Sequence, residues 1–251
     1  MLAGLPQRKG RRCDLPEGIR RPEYKRMCLG VDQSYTRTGL AVAALGWDDS
    51  THIVAVQSVP GVASNAPNLK TVYRTNVVAA IRLLMRKHAG DCEMPKRFHC
   101  LSEAIRMHSQ GNLLVGQHLG WGALQGCIAD FMWQHHEIAM RVVDTRQWKS
   151  SIVGTSKPAP EAPTGVDPAK WPTIQYLLHE EDVPKETLRL DLPPRTRNYT
   201  WLESRQVPLR THRGKYKEDI TVKCTYDDNI ADAICIALYG ITKDVRRLKF
   251  F

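Results

Sequence analysis

The apolar and polar positions near the start of the chain predict a buried β-hairpin. Residues 28–45 run apolar into Asp32, cross a short polar turn that closes on Gly39, and then run apolar again. Continuous apolar runs of this length, bounded by turn residues, indicate buried strands. Asp32 then lies at the end of the first strand, where a lone carboxylate is costly to bury unless it is paired or binds a cation. The rest of the chain is therefore expected to supply partners for Asp32.

The periodicity that follows predicts further strands and helices. Short apolar runs predict strands, and apolar residues at helical spacing predict helices. The predicted strands are 51–59, 98–102 (ending in Glu103) and 137–143, and the predicted helices are 68–87, 113–135, 145–153 (with Thr145 as N-cap), 167–181 and 227–241. This order fits an α/β fold, in which a mixed five-stranded sheet carries helices on both faces.

One segment, residues 184–223, departs from this pattern and is interpreted as a basic insertion before the last helix. It has several prolines and little periodicity, and between Lys185 and Lys223 it holds ten Lys and Arg against five Asp and Glu. Tyr199, Trp201 and Tyr216 are interleaved with the basic residues. Basic residues with aromatics suit phosphate contact and base stacking. The alternative is a solvated loop without a ligand.

The charge balance of the whole chain points to a polyanionic partner. The 36 Lys and Arg against 26 Asp and Glu give a net charge of +10 and an isoelectric point near 9.4. Such a balance favours nucleic acid over a membrane surface. The alternative is a basic protein whose charge only keeps it in solution. No apolar run approaches the roughly 20 residues that span a bilayer, so no membrane association is expected.

Cysteine usage and the chain ends add expectations about compartment and domain boundaries. The seven cysteines are scattered singly, which predicts a reducing compartment and no structural zinc site. Residues 1–26 form a basic N-terminal extension, 27–243 one domain that contains the 184–223 insertion, and 244–251 a short tail. The extension fits a DNA-contacting arm, a nuclear-import patch, an organelle transit peptide or a disordered tail.

Acidic residues recur at three places where apolar neighbours predict burial. They are Asp32, Glu103 and the group formed by Asp227, Asp228 and Asp232. Asp228 and Asp232 are four residues apart and share one helical face. Taken singly, each has an ordinary alternative: Asp32 caps the hairpin turn, Glu103 is an exposed strand end, and the Asp227–Asp228 pair complements the helix dipole.

Together these acids favour a metal-dependent nuclease. Converging carboxylates repel one another unless cations neutralise them, and hard oxygen ligands select Mg²⁺, with Mn²⁺ as a substitute. Two such ions, about 4 Å apart, activate a water and stabilise the leaving oxygen of a phosphodiester. The basic surroundings suit a nucleic-acid substrate.

Four motifs now identify a family that the chain resembles. Residues 29–39 (LGVDQSYTRTG) resemble the first strand and turn of RuvC-like Holliday junction resolvases, and 101–103 (LSE) are similar to their strand-four Glu. Residues 144–154 (DTRQWKSSIVG) resemble the segment after strand five, and 228–237 (DNIADAICIA) the closing helix. Residues 110–116 and 147–149 also resemble the plant organellar branch. The resemblance covers about 27–183 and 224–242.

The resemblance implies a ribonuclease H-like fold and a homodimer that resolves four-way or otherwise branched DNA by two symmetric nicks. It implies two Mg²⁺ ions in each active site. It also implies that the protein acts in a reducing compartment: the cytoplasm or nucleoid, an organelle matrix or a host cell. It makes Asp32, Glu103, Asp228 and Asp232 both catalytic residues and metal ligands, with Asp227 as an alternate ligand. The expected DNA-binding residues are basic: Lys149, Arg146, Arg106, Arg195, Arg197, Arg210, Arg213 and Lys215.

The chain departs from the family at three points. Bacterial members place the paired acids three residues apart, a position that Asn229 holds here, whereas Asp228 is four residues from Asp232. The aromatic residue that wedges into the junction after the Glu is replaced by residues 105–108 (IRMH). The 184–223 insertion is not part of the compact family core.

Two other classes of function stay open beside the nuclease. A degenerate nuclease would use the same fold as a nucleic-acid-binding or scaffold subunit of a nucleoprotein assembly. An actin-like ATPase or sugar kinase also opens with a strand, an Asp and a polar turn. Its turn uses glycines to bring backbone N–H groups to phosphate, and residues 33–38 hold none.

Overall fold

The computed structural model describes most of the chain, with gaps at both ends and at several internal positions. The described residues are 22–34, 37–61, 67–94, 96–105, 112–163, 166–180, 183, 188–192, 201–208, 217–243, 245 and 248–250. Within these ranges only the backbone is described at 67–68, 112–118, 190–192, 201–208, 217–223 and 249–250. The predicted DNA-binding residues Arg106, Arg195, Arg197, Arg210, Arg213 and Lys215 lie outside the described residues.

The strands and helices alternate much as the periodicity predicts. In chain order they are β1 (Arg26–Asp32), β2 (Arg37–Leu45), β3 (Thr51–Pro60), α1 (Pro67–His88), β4 (Phe98–Glu103), α2 (Asn112–His136), β5 (Met140–Val143), α3 (Thr145–Ile152), α4 (Trp171–His179), β6 (Arg189–Leu192), β7 (Trp201–Pro208), β8 (Lys217–Tyr226), α5 (Asp228–Thr242) and β9 (Lys249–Phe250).

The main sheet confirms the predicted mixed five-stranded arrangement. Its order is β3-β2-β1-β4-β5, with the two-residue β9 added at the β5 edge. The hairpin β1–β2 is antiparallel, with Asp32 opposite Gly39, whereas β1–β4 and β4–β5 are parallel. Since parallel strands end at the same edge of a sheet, the ends of β1, β4 and β5 lie side by side.

Successive side chains of β1 point to opposite faces of the sheet and so pack into two different apolar cores. Met27, Leu29 and Val31 pack into the apolar cluster beneath α1 and α2. Cys28 faces the opposite cluster, which is built from α3, α4 and α5. Because side chains alternate across a strand, Asp32 lies on the same face as Cys28, toward α5. Helices therefore cover both faces, as predicted.

Helix α5 lies unusually close to the sheet because glycines face it. A Cβ at Gly30 would come 2.2 Å from the carbonyl oxygen of Ala233, and one at Gly39 would come 2.0 Å from that of Asn229. Neither distance is sterically possible, so these positions exclude any side chain. Close approach here brings the start of α5 to the end of β1.

Three local predictions need correction. Asp144, not Thr145, is the N-cap of α3, and its side chain accepts from the backbone N–H of Arg146 at 2.8 Å. The strand predicted from residue 137 begins at Met140. The predicted helix from residue 167 begins at Trp171, because residues 168–170 form a turn.

The basic insertion contains strands that its composition did not predict. Strands β6, β8 and β7 form a separate antiparallel sheet, in which Trp201 pairs with Cys224 and Pro208 with Lys217. Prolines and charged residues break the alternation by which a half-buried strand is recognised, so the sequence gives no strand signal there. Strand β8 ends at Tyr226 and leads directly into Asp227 and α5.

Candidate metal centre

Three of the four acids predicted as ligands converge at one edge of the main sheet. Asp32, Glu103 and Asp232 each offer a carboxylate oxygen, and these oxygens all lie within 4.8 Å of one another. Asp32 ends β1, Glu103 ends the neighbouring β4, and Asp232 lies one turn into α5. Asp32 is 7% exposed and Asp232 1% exposed. The strand ends and the close approach of α5 together assemble this cluster.

Asp228 lies at the rim of the cluster and not within it. Its side chain is 42% exposed, and its Oδ2 lies 3.7 Å from Nζ of Lys170. Asp227 instead caps the helix: it is the N-cap of α5, and its Oδ1 accepts from the backbone N–H of Ile230 at 3.1 Å. Its Oδ2 lies 3.8 Å from Arg37. Of the two, Asp228 is therefore the one whose contacts join it to the cluster.

Lys170 places an ammonium group against the carboxylates, and no pattern in the sequence predicted it. Its Nζ donates to Oδ2 of Asp232, so an ammonium group compensates part of the cluster's charge. Lys170 lies in the turn before α4, in a Pro- and Ala-rich region, where no periodic or motif signal distinguishes it. Only the packing of α4 against α5 brings it to the carboxylates.

Burial and charge shift the protonation of these groups. Burial raises the pKa of Asp32 well above its usual value; Lys170 opposes the shift, and Asp232 and Glu103 add to it. The pKa of Glu103 is raised by burial and by Asp232, and the pKa of Asp228 is raised chiefly by burial. Burial lowers the pKa of Lys170, but the carboxylates of Asp232, Asp32 and Asp228 outweigh it and raise this pKa overall. Burial and mutual repulsion thus disfavour the ionised carboxylates, and the ammonium group of Lys170 only partly offsets this.

Hydrogen bonds hold Glu103 in place. Thr145, the first residue of α3, donates its hydroxyl to Oε1 of Glu103. Gln33 and Gln125 donate to the backbone carbonyl of Glu103 at 2.9 and 2.7 Å. Ser102 joins the same network through both glutamines. The contact with Thr145 was foreseeable, because Val143 pairs with Glu103 across β4 and β5 and Thr145 follows two residues later.

The residues present fit a divalent cation. Carboxylate oxygens are the ligands that Mg²⁺ and Mn²⁺ prefer. Oδ1 of Asp232 is buried and has no hydrogen-bond partner in the described part of the chain, which is costly for a carboxylate oxygen without a ligand. A bound cation would satisfy it. Asp32, Glu103 and Asp232 would hold the ion, with Asp228 adjacent.

The predicted DNA-contacting residues on α3 differ in their surroundings. Arg146 is exposed on α3 and follows Thr145, whose hydroxyl donates to Glu103. Lys149 is only 6% exposed, and its Nζ donates to the carbonyl oxygen of Ala169 at 3.0 Å. This hydrogen bond therefore connects α3 to Ala169, the residue that precedes Lys170. Contact of Lys149 with phosphate stays a prediction.

Comparison of sequences finds no relative, whereas comparison of structures does. No family model and no curated protein sequence matches the chain. Thermus thermophilus RuvC is similar in structure over 90% of this chain and 99% of its own, with 12% identity and a TM-score of 0.51. T. thermophilus RuvC in complex with Holliday junction substrate matches with the same coverage and identity and a TM-score of 0.52. The yeast mitochondrial Holliday junction resolvase Ydc2 covers 88% of this chain and 78% of its own, with 10% identity and a TM-score of 0.44.

No helix in the described ranges is both long enough and apolar enough to traverse a membrane.

The likeness to RuvC extends over nearly the whole of both chains. It includes the mixed sheet and the helices on both of its faces, which the motifs predicted. The chain therefore has the ribonuclease H-like fold of the RuvC Holliday junction resolvases, with a buried acidic triad at the edge of its sheet.

Proposed function

We propose that the chain is a Mg²⁺-dependent endonuclease that resolves four-way DNA junctions by paired symmetric nicks. The observation that carries this proposal is the convergence of carboxylate oxygens of Asp32, Glu103 and Asp232 within 4.8 Å of one another, together with the buried Oδ1 of Asp232, which lacks a hydrogen-bond partner among the described residues. The net charge of +10 supports a nucleic-acid substrate. The fold of RuvC, one of whose structures holds a Holliday junction, supports the choice of a branched one.

The side chains of the centre have two roles: the carboxylates bind cations, and their neighbours orient the carboxylates and balance their charge. Asp32, Glu103 and Asp232 would hold the cations, and Asp228 at the rim would complete the ligand set. Divalent cations bound there supply activation of water and stabilisation of the leaving oxygen. Thr145 fixes the carboxylate of Glu103 in one orientation, and Lys170 balances the charge of Asp232. Arg146 is exposed beside the centre, where it can contact a phosphate.

The proposed enzyme is a homodimer, because two symmetric nicks need two centres related by a two-fold axis. Nicks placed symmetrically on opposite strands are its product. Sedimentation of the free protein and of its junction complex measures the number of chains. A single chain bound to a junction would contradict the dimer, even if cleavage is seen.

Replacement of Asp32 tests the catalytic assignment. We expect Asp32→Asn to abolish Mg²⁺-dependent nicking of a synthetic four-way junction and to leave junction binding within about twofold, since the substitution keeps the shape of the side chain. A panel of junction, flap, fork and linear duplex measures the substrate range. Unchanged nicking by the variant would refute the centre, and equal cleavage of all four substrates would refute the junction preference.

A second function is favoured by one observation, the ammonium group of Lys170 among the carboxylates. A lysine that neutralises the cluster without metal suits a subunit that binds nucleic acid but has lost catalysis. A calorimetric titration with Mn²⁺ separates the two functions. Saturable binding that Asp232→Asn removes supports the nuclease, and no binding by the wild-type chain supports the degenerate subunit.

A further inference from the structure

A cationic cavity lies at the end of the main sheet opposite the carboxylates. It has a volume of about 580 Å³, and its walls include Lys25, Arg26, Trp47, Lys96, Arg97 and Lys243. Arg26 begins β1 and Asp32 ends it. Six residues of strand, at ~3.3 Å each, separate the two regions by roughly 20 Å. The cavity is therefore distinct from the metal centre.

The walls of this cavity carry a surplus of positive charge. Five of the lining residues are Lys or Arg, and none of the lining residues that the structure describes is acidic. Two carboxylates lie nearby: Asp49 is 2.6 Å from Nζ of Lys25, and Glu93 is 3.3 Å from Nζ of Lys96 and 3.5 Å from Nε of Arg97. Both carboxylates are exposed, at 72% and 46%. Ion pairs so exposed contribute little, so an incoming anion can replace them at small cost.

The two arginines of the cavity also make contacts that orient their guanidinium groups. The guanidinium of Arg26 donates to the carbonyl oxygen of Ile241 at 2.9 Å, at the negative end of α5. The guanidinium of Arg97 lies over the ring of Trp47, 5.2 Å from its centre. Like charges gathered in a concave surface raise the local potential and concentrate anions there. Two fixed guanidinium groups in such a cavity suit the oxygens of phosphate.

We propose that this cavity is a second binding site, specific for the phosphate groups of a nucleotide. Its volume is in the range of small-molecule sites, about 300–1,000 Å³. The half-exposed ring of Trp47, together with the planar guanidinium of Arg97, offers a surface on which a base stacks while the lysines contact the phosphates. The nucleotide is either a free nucleoside polyphosphate or the phosphorylated end of a DNA strand, since both carry the same groups.

This site does not depend on nuclease activity, and its test does not measure cleavage. The full-length protein is titrated calorimetrically in EDTA with three probes: inorganic pyrophosphate, ATP and a 5′-phosphorylated deoxynucleotide tetramer. EDTA keeps divalent cations from the carboxylates and from the probes. Loss of junction cleavage in other experiments therefore leaves the outcome of this one unaffected.

A matched pair of double variants locates the binding. Lys96→Gln with Lys243→Gln removes two exposed charges from the cavity, and Lys87→Gln with Lys157→Gln removes two exposed charges elsewhere. We expect the first pair to weaken pyrophosphate binding about tenfold or more, because each lysine contributes a charge-assisted contact. The second pair should change it less than about twofold, through the net charge alone.

The source of the nucleotide follows from the probes. Tighter binding of ATP than of pyrophosphate supports a free nucleotide stacked on Trp47, and tighter binding of the tetramer supports a strand end. Labelling of lysines with an amine-reactive reagent gives a second readout on the wild-type chain. ATP should protect Lys25, Lys96 and Lys243 and leave Lys87 and Lys157 reactive. Equal weakening by both variant pairs, equal protection of all five lysines, or no saturable binding of any probe would overturn the proposal.

Discussion

At Asp232 the two carboxylate oxygens have different surroundings: one accepts from Lys170, and the other is buried without a hydrogen-bond partner among the described residues. A single lysine thus cannot satisfy the whole cluster. This imbalance connects the charge of the centre to its proposed metal, because a cation bound between Asp32, Glu103 and Asp232 would remove both the repulsion and the unsatisfied oxygen.

Removal of the ammonium group should make the centre depend more strongly on metal. We expect Lys170→Met to lower the free energy of unfolding in EDTA by about 2–3 kcal/mol, less than for a fully buried pair because the lysine side chain is 28% exposed. Urea unfolding with and without Mg²⁺ measures this. Mg²⁺ should stabilise the variant more than the wild type, and equal stabilisation of both would contradict the role given to Lys170.

The raised pKa of Asp32 predicts how stability depends on pH without metal. Because the folded state holds its proton at a higher pH than the unfolded state, the folded state binds more protons above the usual Asp pKa of about 4. The free energy of unfolding should therefore fall as pH rises from that value through the raised pKa. Asp32→Asn should flatten this fall. Denaturant titrations in EDTA, at a series of pH values that starts near the usual Asp pKa and ends above neutrality, measure it; an unchanged slope in the variant would count against the shift.

At the scale of elements, the metal centre depends on how closely α5 lies over β1. Gly30 and Gly39 have no Cβ to hold the helix away, and a Cβ at Gly240 would come 2.2 Å from Sγ of Cys28 in the same manner. Asp232 reaches Asp32 and Glu103 only because of this approach. The sequence contains these glycines, but only the packing of α5 against β1 and β2 explains why no side chain fits at these positions.

A methyl group at Gly30 should disturb both packing and metal binding. Gly30→Ala places its Cβ against the carbonyl oxygen of Ala233, so α5 must shift; we expect a loss of about 1–3 kcal/mol in the free energy of unfolding. Mn²⁺ affinity should fall as well. Gly122→Ala is the control, since nothing lies within 4 Å of its Cβ. In this control the higher helix propensity of alanine should raise the free energy of unfolding by about 0.5–1 kcal/mol. Thermal unfolding compares the stability of the two variants, and calorimetric titration compares their Mn²⁺ affinity. Equal effects of the two substitutions would be evidence against close packing as the reason for Gly30.

At the scale of the whole molecule, the net charge of +10 predicts that junction binding weakens steeply with salt. The contribution of single residues to this dependence distinguishes contact with phosphate from internal support. Arg146 is exposed, whereas Lys149 is buried and donates to the carbonyl oxygen of Ala169. The two residues lie on the same short helix, α3.

We expect Arg146→Gln to reduce the salt slope of junction binding by about 0.9, the value for one phosphate contact. Lys149→Gln should leave the slope unchanged and instead reduce Mg²⁺-dependent nicking, because it releases the turn that holds Lys170. Binding measured at several salt concentrations gives both slopes. A reduced slope for Lys149→Gln would favour the direct phosphate contact that the family resemblance implies.

The sequence by itself determined the order of the elements of the main sheet and its helices, the mixed five-stranded arrangement, and the acids at the ends of β1 and β4. It could do so because burial imposes periodicity on the chain, and because an acid within an apolar run is unusual. It did not determine the separate sheet of β6, β7 and β8. The RuvC-like fold followed from motifs in the right order on the right elements, and the structural comparison confirms it.

Only the tertiary structure decided which acids meet and what balances them. The sequence favoured Asp228 as a ligand but kept Asp227 as an alternate, and the structure shows that Asp227 caps α5 while Asp228 faces Lys170. Lys170 is 62 residues from Asp232 along the chain. The cavity at the opposite end of the sheet gathers residues from β1, β4 and the end of α5. Contacts between such distant positions leave no local pattern, because packing between elements, and not the propensity of any one of them, creates them.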